Sequence, residues 1–213
     1  DPKYPPVTTM KQAIRRLDKH KVVQALEEVA ANSFGRHFPD VTRHLLRKMW
    51  THIIFTAHGA RELARWTKKA NPEEAFVSAM FKDVAVPVFV CATTRLAKGD
   101  QAVLNYAPEI IDFVKTQQRG MGNYILGSWH FAERIREFPE RSINPLDDNL
   151  ATIVGLATEL AFEYGYTYGG QSGNTQKLES YLNALELDRS TVTTLIEVIG
   201  PSLNAALSII RPI

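Results

Sequence analysis

The residues whose type and position invite chemistry are Asp83 and His52. Asp83 follows Phe76 by seven residues, so on one continuous helix it would sit almost directly below that ring, on the apolar face. An ionised carboxylate on a buried face needs a cationic or hydrogen-bonding partner, or a metal ion. Asp83 therefore reads either as a core carboxylate paired with a nearby His, Lys or Arg, or as a metal ligand. His52 lies beside Met49 and Ile53 at the margin of an apolar stripe. It reads either as a hydrogen-bonded core histidine or as a ligand.

The other chemical residues form no such set. His20, His37, His44 and His58 show no ligand spacing, and His130 follows Trp129 with no carboxylate to pair with. There is no HExxH and no CxxC motif. Gly120-Met121-Gly122 and Gly169-Gly170 are not preceded by strands, which weakens a phosphate-loop reading. Ser172 lacks a nucleophile elbow. Arg15, Arg16, Lys19, His20 and Lys21 form a basic run that reads as a solvated helix end or as a phosphate contact.

Helices must position these groups. Thr8 or Thr9 caps a first helix with Met10, Ala13, Ile14 and Leu17 on one face, and Val22, Leu26, Val29 and Ala30 continue the pattern. Asn32 to Asp40 reads as a loop. Leu45, Met49, Ile53, Ala57, Ala60 and Ala64 then mark the buried stripe of a long helix. Asn71 caps a fresh start, with Pro72 at the first helical position and Glu73 and Glu74 in the first turn. The pattern predicts that this helix runs through Phe76, Met80 and Asp83 toward Pro87.

Shorter helices are expected over Pro108 to Lys115 and Asn123 to Glu137, with Pro139 and Pro145 bracketing a break. Asp147 or Asp148 caps a helix carrying Ile153, Ala157, Leu160, Ala161 and Tyr164. The stretch Gly165 to Gly173 reads as a flexible connection. Closing helices carry Leu178, Tyr181, Leu182 and Leu185, then start again near Asp188, with Pro201 as a kink or a restart. No alternating strand pattern of useful length and no fixed-period repeat is present. The fold class is all-α.

Bulk properties narrow the function. The chain has 213 residues, 45% of them hydrophobic, with 25 basic and 23 acidic residues and a formal net charge of +2. That balance gives no general drive toward nucleic acid or an anionic membrane. No apolar run reaches the length of a membrane span, and the polar, Pro-rich start is not a signal peptide. Cys91 is the only cysteine, so there is no disulfide framework, and a reducing, cytoplasmic location is the expectation.

Three segments together resemble the HDOD domain, the HD-related output domain. The first is Thr9-Met10-Lys11-Gln12-Ala13-Ile14-Arg15-Arg16-Leu17, with Asp18 where the family has Gly. The second is Leu45 to His52, containing Trp50-Thr51-His52, followed by Ala60 to Ala64 and by Pro72-Glu73-Glu74-Ala75-Phe76 through Asp83-Val84. The third is Gly127-Ser128-Trp129 through Pro139. The resemblance implies an HD-like multi-helix bundle.

In the wider HD superfamily a His, a His-Asp pair and a distant Asp bind metal for phosphohydrolysis. The resemblance aligns His52 with the first His and Asp83 with the Asp of the pair. Lys82 stands where the pair's His belongs, and Thr158 where the final Asp belongs. Arg141-Ser142-Ile143-Asn144 lacks the later His-His pair of some relatives. The resemblance thus implies a remnant of the HD motif, with no catalytic residue, no metal and no cofactor.

On function, the resemblance implies a non-catalytic output module of a bacterial signalling protein, of the kind joined to two-component response regulator receivers, sensors or cyclic-dinucleotide-turnover domains. Its partners would be other signalling domains or proteins, or a second copy in a homo-oligomer, with no membrane and no nucleic acid. A residual HD-type phosphohydrolase acting on a nucleotide or cyclic dinucleotide is the alternative, and a nucleic-acid-binding regulator is a third. Residues 1–8 are expected to be a linker or the remnant of a preceding segment, 9–164 the helical core and 165–213 C-terminal helices packed on it. The family usually has a helix ahead of Thr9, so the chain is expected to be part of a longer protein. Ile14, Val22 and Leu26 would then lack their usual cover.

Overall fold

The computed structural model describes residues 38–98, 107–142 and 145–210. The first expected helices, the basic run of Arg15 to Lys21, and the question of what covers Ile14, Val22 and Leu26 lie outside the described residues.

The described helices are α1 (Asp40–Thr67), α2 (Pro72–Phe81), α3 (Ala85–Leu96), α4 (Ala107–Thr116), α5 (Gln118–Ser128), α6 (Glu133–Arg136), α7 (Phe138–Arg141), α8 (Asn149–Glu163), α9 (Thr175–Leu185) and α10 (Arg189–Ile210). A 3-10 turn over Pro145–Asp147 precedes α8. No strand element occurs among the described residues, so the all-α class is what the chain adopts.

α1 is the central helix, with α2, α8 and α10 packed around it and α9 against α8. Small residues bring these helices close. Ala57, Ala60 and Ala64 are almost fully buried on α1. A Cβ placed on Gly59 would stand 3.5 Å from that of Ala157, which marks the α1–α8 crossing. Ile153, Leu156 and Leu160 of α8 share this core with Leu178 and Leu182 of α9 and with Leu195 of α10. A second cluster joins Leu46 and Met49 of α1 to Ala85, Val86 and Val90 of α3 and to Ile111 and Val114 of α4.

Local signals place the helix starts. The Asn71 side chain accepts from the backbone N–H of Glu73 and Glu74, at 2.9 and 3.1 Å. Of the two aspartates ahead of α8, Asp148 is the cap, accepting from the N–H of Ala151 at 3.0 Å. α10 continues through Pro201.

Two expected helices are broken. The helix expected to run from Pro72 past Asp83 ends at Phe81, and Lys82–Val84 forms a turn before α3. Pro87 is the cause. A proline ring clashes with the carbonyl four residues back, here that of Asp83, so Pro87 is tolerated only in the first turn of a new helix. The freed Asp83 carbonyl accepts from Val86 N–H at 2.9 Å. The helix expected over Asn123 to Glu137 ends at Ser128. His130 takes the left-handed conformation, φ 59°, and Phe131 N–H bonds back to Leu126 O at 3.1 Å, closing the helix end before α6 begins.

Against the expectation that no apolar run reaches the length of a membrane span, the stretch Pro72–Leu96 is apolar and long enough to cross one by length and composition alone. The Lys82–Val84 turn interrupts it, and 50% of its most apolar window is buried within this fold.

Candidate functional site

The HD-motif remnant gathers where α1, the α2–α3 turn and the end of α8 meet. His52 sits on the α1 face that carries Met49 and Phe55, and is 1% exposed. Its Nδ1 lies 2.8 Å from the carbonyl oxygen of Tyr166. A carbonyl only accepts, so Nδ1 carries the hydrogen and donates it. The ring packs on Phe162 at 4.5 Å and meets Tyr168 edge-on at 5.0 Å between centroids.

Asp83 is 6% exposed although it lies in a turn. Its Oδ2 accepts from Lys82 Nζ at 2.6 Å and from the Tyr168 hydroxyl at 3.4 Å. Helix phasing from Phe76 therefore reached the right burial by the wrong route: the turn ahead of Pro87, not a continuous α2, directs this carboxylate inward. Asp83 has a cationic partner in the adjacent Lys82.

Thr158 is half-buried on α8, one turn before Phe162. Its hydroxyl donates to its own helix at Val154 O, 2.7 Å away. The other candidate residues stay apart. His58 meets the edge of Phe76 at 5.4 Å, and His44 and Ser172 are exposed. Arg141 pairs with Asp148, and Ser142 donates to Pro139 O at 2.9 Å.

Residues that sequence reasoning missed complete the site. Gly165 to Gly173, expected as a flexible connection, brings Tyr166 and Tyr168 back against α1. Tyr166 N–H bonds Ala161 O at 2.9 Å, and its ring packs on Phe55 at 4.7 Å. Tyr168 is 3% exposed and belongs to the second core cluster. Gly169 permits the turn that follows: φ is +55°, and a Cβ there would lie 2.3 Å from Ile111 Cδ1. The legible signal was a pair of aromatics two residues apart between glycines, a pattern that packs rather than flexes.

Burial first, and the negative charge of Asp83 second, push the Tyr168 phenol well above its usual range. The hydroxyl thus stays protonated and able to donate to Asp83.

A catalytic divalent ion needs several converging oxygen or nitrogen donors. Among the described residues no three His, Cys, Asp or Glu side chains come together to hold one. The Asp83 carboxylate is compensated by an ammonium, and a protonated lysine has no lone pair to offer. This donor set does not fit the metal of an HD hydrolase.

A family model, the HDOD domain, matches residues 4–145, more than half of the chain. No curated protein matches the chain, and no solved structure does.

Proposed function

This chain belongs to the HDOD family, and we propose that it serves as a non-catalytic output module of a bacterial signalling protein, working in the cytoplasm through contacts with other signalling domains or proteins. The observation that carries this reading is the Lys82–Asp83 ion pair, 2.6 Å long and largely buried. It sets a positive charge at the position where the HD motif would require a neutral imidazole ligand. A divalent ion would have to displace that ammonium from its carboxylate and then bear its repulsion at close range. The ring cluster of His52, Phe162 and Tyr168 lies beside the pair, with the Tyr168 hydroxyl reaching Asp83. Such a centre supports a structural role, fixing α1, the α2–α3 turn and the post-α8 arm as one unit.

The test is elemental analysis of the purified chain after incubation with Mn, Fe, Zn and Mg salts and desalting. The expected result is no stoichiometric ion. One or two ions per chain, lost on Asp83→Ala, would overturn the reading and restore a phosphohydrolase. A Lys82→His variant that gains metal would confirm that the lysine is what keeps the ion out.

A further inference from the structure

We draw no further inference here: the strongest candidate, the outward apolar face of α3 that exposes Val88, Ala92 and Leu96, carries no proposal because nothing in the structure shows what covers it.

Discussion

Lys82 and Asp83, neighbours in the chain, pair through their own side chains, Nζ to Oδ2 at 2.6 Å, with 15% and 7% of those side chains exposed. Removing one partner of such a pair leaves a buried charge uncompensated, and that penalty exceeds what the pair itself contributes. Asp83→Ala should therefore lower stability by about 3 kcal/mol, where the ranges for a broken buried ion pair and a lost buried partner meet. The melting temperature should fall by roughly 6 °C or more for a chain of this size. Replacing both residues with apolar ones of similar volume, as in Lys82→Met with Asp83→Leu, should cost less than Asp83→Ala alone. A double variant less stable than the single one would show that the charges contribute net stability.

Tyr168 separates packing from hydrogen bonding. Its hydroxyl reaches Asp83 at 3.4 Å, a long contact, while its ring is core. Tyr168→Phe should cost no more than about 1 kcal/mol. Tyr168→Ala should cost about 3–5 kcal/mol, the usual range for emptying a buried aromatic site. Chemical denaturation measures both, and equal losses would mean the hydroxyl dominates.

His58 should make the fold acid-sensitive. Burial, with the Arg61 charge second, lowers its pKa from the ordinary 6.5. Its folded state disfavours the proton that the unfolded chain accepts, so stability is present above the unfolded pKa. It is lost as pH falls through 6.5 and levels off only below the folded pKa. Melts of the parent and His58→Gln over this interval should converge as the pH drops. A constant gap between them would contradict the assignment.

Asn71 holds the start of α2 through the backbone N–H groups of Glu73 and Glu74. Asn71→Ala should cost about 1 kcal/mol and Asn71→Ser much less, because serine can still accept. Urea titration distinguishes them. Equal losses would show that the amide acts other than as a cap.

Much was fixed locally and could be read without coordinates. The stripe from Leu45 to Ala64, the Asn71-Pro72 start and a cap at Asp147 or Asp148 act within a few residues, so composition and spacing point to them, and the structure selects Asp148. The segments resembling the HDOD family were equally legible, because they lie along the chain in order. The break at Lys82 was partly legible, since Pro87 forbids a helical hydrogen bond from its own position. It was missed because the apolar pattern runs on across the turn.

What tertiary structure alone decided is who meets whom. Asp83 could have taken any cation; only the folded turn gives it Lys82. His52 could have bonded any acceptor; only the return of the chain after Gly165 brings it the carbonyl of Tyr166, 114 residues away. That the glycine-rich stretch packs rather than flexes depends on Tyr168 finding space between α1 and α3, and on Gly169 clearing Ile111. Hydrogen bonds, ion pairs and close packing act over a few ångströms of space, whereas sequence patterns report only a few residues of chain. Contacts between distant segments therefore leave no local pattern, and the identity of each partner is settled only when the helices pack.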